Sequence, residues 1–597
     1  MNRSIYLNFA ETSARYPDKT ALLYKKEGKY RKISFKGLQA NVIRLASALR
    51  RAGIEKGDAV GIFSYNRPEW VIADLAIMKL GAVVVPVYHT LTSSYLRYII
   101  KDAKVKLIFV ENDRLFPIIE EIWGDIPFHF KVVVFDTAQI STNKNFWTFR
   151  QMLNLDSPVT RDSSTICGND TATIVYTSGT TGEPKGVVLS HHNILSNALA
   201  ARDRFKITFK DVIFSILPLS HLFERTCGYY AILLAGGAIA YARDLNTITQ
   251  DIAKIRPTLI ITVPRIIEKI YQLVVEKIEG GGPIKRKWVV SAIKALNRYA
   301  NLTYKKQRIP PALKVKYLIY NALVASKFRK LTGGRLRLMG SGGAHLDPKI
   351  AKILYILGYN IIEGYGLTEA SPLVCSNKLE DIRLGTVGKP LDGVQVKISK
   401  QDEILVKGPN VMQGYLHKPE ETKKAIDADG WLHTGDQGRF NKSGDLIITG
   451  RIKEMIITSY GKNIAPAFLE KKISGSRYID QVMVFGDEKR CLVALIVPNK
   501  KAIQQHAREL NVSYENYSEL LKSNGIQTLI QQEVDQATTD LASYETIKSF
   551  AVLPESFTVN DALLTPTLKL RRIEILKRYK DQIENLYENL KRKQSNK

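Results

Sequence analysis

Between Tyr176 and Gly186 the chain reads YTSGTTGEPKG, with three glycines and four small hydroxyl residues in eleven positions. Such a run holds neither a stable helix nor a strand. Its backbone N–H groups can instead curl round phosphate oxygens. The hydroxyls of Thr177, Ser178, Thr180 and Thr181 add donors, Gly179 and Gly182 allow close approach, and Lys185 adds charge. The spacing is not that of a Walker A loop, because Glu183-Pro184 separates Gly182 from Lys185. The chemistry offered is the gripping of a polyphosphate. The chain has no GxSxG elbow, HExxH pair or CxxC pair, so neither a protein nucleophile nor a zinc centre is expected. The four cysteines lie far apart, which argues against a disulfide framework and fits a reducing compartment.

The loop needs a scaffold, and the flanking pattern supplies one. Residues 171–177 read as a strand, and Ser190 is placed to cap a helix through HHNILSNALAA. Strand-like runs at 58–66, 82–88, 105–111, 211–220, 258–264, 335–343 and 360–366 alternate with helical segments such as 68–81 and 93–103. Ile- and Val-rich runs, each followed by a helix, imply parallel strands with crossover helices, an α/β fold. Ligands in such sheets bind beyond the carboxyl ends of the strands. After residue 450 the texture changes. A hairpin is expected over 445–458, then a helix from Pro466 to Ile473, two strands, and a long polar helical segment over 499–548. This reads as a smaller α+β domain, with the boundary near Gly450-Arg451, giving residues 1–450 and 451–597.

The 597 residues are 45% hydrophobic and 24% charged, which excludes a disordered, collagenous or coiled-coil chain. The net charge of +29 predicts an anionic partner. Residues 280–346 contain fifteen Lys or Arg and no Asp or Glu, with apolar residues interleaved. They read either as a solvated helical face or as a basic amphipathic surface on anionic lipid, where each cation contributes about 1 kcal/mol. No nucleic-acid motif accompanies the charge, so nucleic acid is not expected. The longest uncharged run, Cys227 to Ala242, is too short to span a membrane and reads as a buried helix and strand. The N-terminal residues lack an apolar core, so no signal peptide is expected.

YTSGTTGEPKG resembles the signature loop of the adenylate-forming (AMP-binding) superfamily. LPLSHLFER (217–225), YGLTEA (365–370), GTVGKP (385–390), DGWLHTGD (429–436), GRIKEMI (450–456) and LTPTLKLRR (564–572) resemble its further motifs in order. LPLSHLFER and the stretch from Asp429 to Ile456 are most similar to long-chain fatty acyl-CoA synthetases. The resemblance implies a large N-terminal domain of parallel-rich sheets with crossover helices and a small mobile α+β C-terminal lid. It implies ATP-dependent activation of long-chain fatty acids to acyl-CoA through an acyl-adenylate, releasing AMP and pyrophosphate. ATP and coenzyme A are then co-substrates, and Mg²⁺ is the metal.

Residue by residue, the resemblance implies that 177–185 hold the β- and γ-phosphates and that Thr368 bonds the α-phosphate. Glu369 holds Mg²⁺, whose hard charge needs oxygen ligands. Tyr365, followed by Gly366, either stacks on adenine or is a core tyrosine. Gly342, Gly343 and Ala344 resemble the strand end that lies along adenine and the acyl head. Asp436 and Arg451 resemble the two ribose contacts, or else form a structural pair. Lys453 falls at the family's hinge, and Gly461 at the glycine beside the pantetheine arm. Lys569, preceded by Leu568 where the commoner form has glycine, stands at the adenylation lysine's place. His221 resembles the residue gating the acyl pocket, or is a packed imidazole; His191-His192 is structural. The acyl tunnel is expected behind Gly342-Gly343 and along 261–266.

A fatty acyl-AMP ligase that loads a carrier protein is the alternative, although no coenzyme-A-blocking insertion lies between Asp436 and Gly461. The resemblance also implies a cytoplasmic enzyme, peripheral on the inner face of the cell membrane; a homodimer is compatible with it. The N-terminus departs from the membrane-anchored animal relatives.

Overall fold

The computed structural model describes residues 3–128, 130–136, 146–154, 166–177, 184–242, 247–279, 282–304, 307–344, 346–460, 462–510, 512–539, 541–559, 561–565 and 570–595. The chain forms two compact units. The first comprises Met1–Ser399, Leu405–Thr434 and Phe440–Ile447; the second comprises Lys400–Ile404, Gly435–Arg439 and Ile448–Lys597.

Two large sheets organise the first unit. In the eight-stranded sheet six strands are parallel, in the order Thr171–Thr177, Val83–Val87, Ala59–Phe63, Leu107–Asn112, Lys131–Asp136 and Phe146–Thr148. Two antiparallel strands, Lys185–Ser190 and Gly414–Tyr415, complete the edge. Ala59–Phe63 and Val83–Val87 are buried throughout, as β-rich apolar runs covered on both faces should be. The helix Pro68–Leu80 has proline in its first turn and ends at Gly81, whose φ of 71° is the left-handed cap geometry that glycine tolerates.

The nine-stranded sheet has a parallel centre: Ile361–Gly366, Leu338–Ser341, Leu259–Thr262, Val212–Ser215, Ala238–Tyr241 and Thr20–Lys26. Antiparallel strands close both ends. The uncharged run from Cys227 ends in the strand Ala238–Tyr241, after a π-helical turn over Glu224–Tyr230 and a short helix, Ala231–Leu234. The strand expected over 211–220 stops at Ser215. Beyond it, the backbone turns so that the His221 N–H reaches the Pro218 carbonyl.

The second unit is built on a three-stranded sheet: Ile479–Phe485, Leu492–Pro498 and Ile547–Val552. Leu492, Ala494 and Ile496 face one apolar cluster, and Val493, Leu495 and Val497 face another, so the central strand is buried on both sides. The expected hairpin over 445–458 does not form within itself. Leu446–Arg451 and Ile456–Ile457 are separated by a 3₁₀ turn, and Ile456–Ile457 pairs with Asn463–Ile464. The segment read as helical to 548 gives up its end to the strand Ile547–Val552. Pro466–Ile473 is helical, as expected.

Candidate active site

Thr171–Thr177 and Lys185–Ser190 run antiparallel, with Thr177 opposite Lys185. Ser178, Gly179, Thr180, Thr181 and Gly182, which lie between them in sequence, fall outside the described residues. Ser190 caps the helix His191–Arg204. Its hydroxyl accepts from the Asn193 N–H at 3.1 Å, and the Asn193 carboxamide oxygen accepts from the Ser190 N–H at 2.8 Å. His191 is fully buried, and burial pushes its imidazole down to about 4, so it is a neutral structural group.

Lys185 forms an ion pair with Glu421, and its ammonium lies 5.1 Å from the centre of the Tyr415 ring. Tyr415 sits on the two-residue strand that pairs with Lys185–Ser190, opposite Val187. Its hydroxyl donates to Glu369 Oε1 at 2.9 Å. Burial and the Glu369 carboxylate push the Tyr415 hydroxyl's pKa upward, which keeps it a donor. Thr368 and Glu369 occupy a 3₁₀ turn directly after the strand Ile361–Gly366. The Glu369 carbonyl accepts from the Met412 N–H at 2.8 Å. The structure therefore brings Lys185 and Glu369 together around Tyr415, a residue that sequence reasoning missed. Lys185 and Glu421 are 236 positions apart, and no spacing signal links them.

Tyr365 is buried opposite Cys375 at the end of the same strand. A Cβ on Gly366 would lie 2.0 Å from the Pro372 carbonyl oxygen, so only glycine fits there. Gly342 and Gly343 follow the neighbouring strand Leu338–Ser341. A Cβ on Gly342 would come within 3.0 Å of the Phe223 ring. His221, two residues before Phe223, accepts the Phe223 N–H on Nδ1 at 3.2 Å and meets Tyr88 edge-on at 6.4 Å. The LPLSHLFER segment thus lies against the strand-end glycine.

The next two residues of that segment are wholly buried. Arg225 pairs with Asp74, which also accepts from Tyr229 at 2.9 Å and Tyr230 at 2.8 Å. Arg225 donates to Thr173 Oγ1 at 2.8 Å, tying the π-helical turn to the strand Thr171–Thr177. Glu224 is fully buried, and neither carboxyl oxygen has a hydrogen-bond partner among the described residues. Burial pushes the Glu224 carboxyl up to about 8, against a weaker downward pull from the Ser215 hydroxyl. Sequence reasoning gave these residues no role. Two charges inside an otherwise apolar run were the available signal.

In the second unit, Arg451 Nε donates to Asp436 Oδ1 at 2.8 Å, and Asp436 is buried. Lys453 lies in the turn Ile452–Glu454; its side chain, together with Gly461 and Lys569, falls outside the described residues. Among the described residues no group of three His, Cys, Asp or Glu could hold a metal by itself. Glu369 offers a carboxylate held by Tyr415, whose ring also meets the Lys185 ammonium. That donor fits Mg²⁺, which is commonly held by one or two carboxylates with phosphate and water completing the shell.

The chain is similar to known proteins over nearly its whole length. Residues 9–416 match the AMP-binding enzyme family, and residues 453–591 match the AMP-binding enzyme C-terminal domain. A long-chain-fatty-acid–CoA ligase of Mycobacterium bovis is 32% identical over 92% of this chain and 91% of its own length. Long-chain-fatty-acid–CoA ligase 5 of Rattus norvegicus is 31% identical over 98% and 89%. Among solved structures, the adenylation domain of a carboxylate reductase from Mycobacterium chelonae superposes with a TM-score of 0.76 at 22% identity, covering 98% of this chain and 91% of that one. ATP-bound MatB from Rhodopseudomonas palustris gives 0.70 at 23% identity, covering 97% and 99%. The chain has the adenylate-forming fold and belongs to the AMP-binding enzyme family.

Proposed function

We propose that this enzyme is a long-chain-fatty-acid–CoA ligase. A fatty carboxylate oxygen attacks the α-phosphorus of ATP, the bond to pyrophosphate breaks, and an acyl-adenylate forms. The thiol sulfur of coenzyme A then attacks the acyl carbonyl, AMP leaves, and the thiol proton passes to solvent. Neither half needs a protein nucleophile; both need alignment and charge neutralisation. The observation that carries the reading is the Lys185–Tyr415–Glu369 group, at the end of the strand pair Thr171–Thr177 and Lys185–Ser190 that brackets the hydroxyl-rich run in sequence. The relatives named above support the substrate class.

In this reading residues 177–185 grip the β- and γ-phosphates, with Lys185 as their cation and Thr368 on the α-phosphate. Tyr415 orients the Glu369 carboxylate, the residue that would hold Mg²⁺. When bound, the metal neutralises phosphate charge. Tyr365 and Gly366 border adenine, Gly342 and Gly343 border adenine and the acyl head, and His221 gates the acyl pocket. Asp436 takes the ribose hydroxyls with Arg451 as its neighbour, and Lys569 supplies a mobile point charge to the reacting carboxylate. Residues 1–450 form the AMP- and acyl-binding body and 451–597 a lid that swings about Lys453, placing Gly461 beside the pantetheine arm in the second half-reaction. The enzyme is cytoplasmic and draws its acid from the inner face of the membrane, making peripheral contact through residues 280–346.

Mass analysis of products from ATP, Mg²⁺, oleate and coenzyme A tests the reading. Oleoyl-CoA is expected. Oleoyl-AMP alone would point to a carrier-loading acyl-AMP ligase, and no acyl product would overturn the assignment.

A further inference from the structure

The basic segment contains a helix with two apolar stripes. Tyr317, Tyr320 and Val324 of the helix Pro311–Tyr320 and the following turn Asn321–Ala325 pack on the core of the nine-stranded sheet, and Leu313 is buried. On the opposite side Val315, Leu318, Ile319, Ala322 and Leu323 recur at i, i+3, i+4, i+7 and i+8, the spacing of a helical face that seeks burial. That face is in solvent: Val315 is 55% exposed, Leu318 58%, and Ile319 and Leu323 47% each. Lys314 and Lys316 flank it.

The preceding helix, Gly282–Tyr304, packs alongside. Tyr299 stacks on Tyr317 with ring centres 3.8 Å apart, and Trp288 meets Tyr320 edge-on at 5.7 Å. Val289, Ala292 and Leu296 point into the core, while Trp288 and Val290 are each 40% exposed. Lys287, Lys294 and Arg298 are exposed on this helix, and Lys327 just beyond the second. None of these cations, nor Lys314 or Lys316, makes an ion pair among the described residues, and residues 280–346 contain no carboxylate side chain.

We propose that this helix pair is a membrane-docking surface. The Val315/Leu318/Ile319/Leu323 stripe enters the acyl region of an anionic phospholipid leaflet, and the surrounding lysines and arginines meet its phosphates. Charge complementarity selects this occupant. A protein partner would favour an interface core depleted in lysine. A nucleic acid would be met by cations and stacking aromatics, leaving the aliphatic stripe in water. Aliphatic residues rimmed by lysine, with tryptophan and tyrosine nearby, are the composition of a helix that lies in the lipid interface. No described helix is long and apolar enough to cross a membrane, so the segment lies on the leaflet. The inference deepens the peripheral contact named above and does not depend on the ligase reaction.

The test is co-sedimentation of the full chain with vesicles of phosphatidylcholine alone or mixed with phosphatidylglycerol, at low and high salt. Binding is expected only to the anionic vesicles and should weaken with salt. Leu318→Asp with Ile319→Asp should lower partitioning about tenfold or more, as should Lys314→Glu with Lys316→Glu. These side chains are exposed, so the thermal midpoint should be unchanged. In the unmodified chain, brominated anionic lipid should quench a fluorescence component that Trp288→Phe removes. Acyl-CoA formation from detergent-dispersed oleate is measured in parallel and should survive both pairs of substitutions, which separates docking from catalysis. Equal binding to neutral vesicles, unaltered binding of the variants, or an unquenched Trp288 would overturn the proposal. So would binding to RNA without binding to vesicles, or a dimer that Leu318→Asp dissolves in a chain that ignores lipid.

Discussion

The Tyr415 hydroxyl donates a 2.9 Å hydrogen bond to Glu369 Oε1, while its ring lies 5.1 Å from the Lys185 ammonium. One side chain therefore contacts both the cation proposed for the phosphates and the carboxylate proposed for the metal. Tyr415→Phe keeps the ring and removes the donor. A hydrogen bond to a charged group is worth about 1.5–3 kcal/mol, so adenylation should fall about ten- to a hundredfold. The Mg²⁺ concentration needed for half-maximal rate should rise. Pyrophosphate exchange titrated with Mg²⁺ measures both, and an unchanged titration would remove Tyr415 from the site.

The buried Arg225–Asp74 pair and the Arg225–Thr173 hydrogen bond tie the π-helical turn to the helix Pro68–Leu80 and to the strand Thr171–Thr177. Asp74→Ala would leave an uncompensated guanidinium and two unanswered tyrosine hydroxyls. Removing one partner of a buried pair costs about 3–5 kcal/mol, and denaturant unfolding should show a loss of that size. A loss below about 1 kcal/mol would mean that water already screens the pair.

Glu224 makes stability depend on pH. An unfolded glutamate ionises near its ordinary value of 4.5, whereas in the fold burial holds the carboxyl protonated up to about 8. Across that interval the unfolded chain binds fewer protons than the folded one, so stability falls as pH rises. The favourable contribution is complete below 4.5 and gone above about 8. Glu224→Gln, neutral and of the same shape, should flatten the decline in thermal midpoint between about pH 5 and pH 8. A parallel decline in both proteins would show that other groups carry it.

Much of this architecture was legible in the chain, for a physical reason. Apolar runs such as 83–87 and 259–262 are buried on both faces, and glycines such as Gly81 and Gly366 stand where the backbone permits little else. What escaped depends on distant pairing. Gly414–Tyr415 is too short a strand to carry a pattern, yet it delivers Tyr415 to Lys185 and Glu369. Ile547–Val552 has an exposed and half-buried face that resembles the polar helices before it, and only its parallel pairing with Leu492–Pro498 makes it a strand. The π-helical turn is equally invisible to periodicity, which assumes 3.6 residues per turn.

Asp436 and Arg451 contact each other in the second unit. If Asp436 also takes the ribose hydroxyls, Asp436→Asn should raise the KM for ATP about tenfold or more, since the amide keeps the shape and loses the charge-assisted acceptors. Thermal melting of the same variant distinguishes this from a purely structural role. A lowered midpoint with an unchanged KM would assign the pair to folding alone.

Lys569→Ala should separate the two half-reactions. Formation of the adenylate should be lost, while acyl-adenylate supplied from outside should still be converted to the thioester. Single-turnover assays of each half measure this, and equal loss in both would contradict the assignment.

The most direct measurement is exchange of labelled pyrophosphate into ATP without coenzyme A. Label should enter ATP when a long-chain fatty acid and Mg²⁺ are present and stay out when the acid is omitted. No exchange with any fatty acid, or exchange indifferent to the acid, would contradict the account at its root.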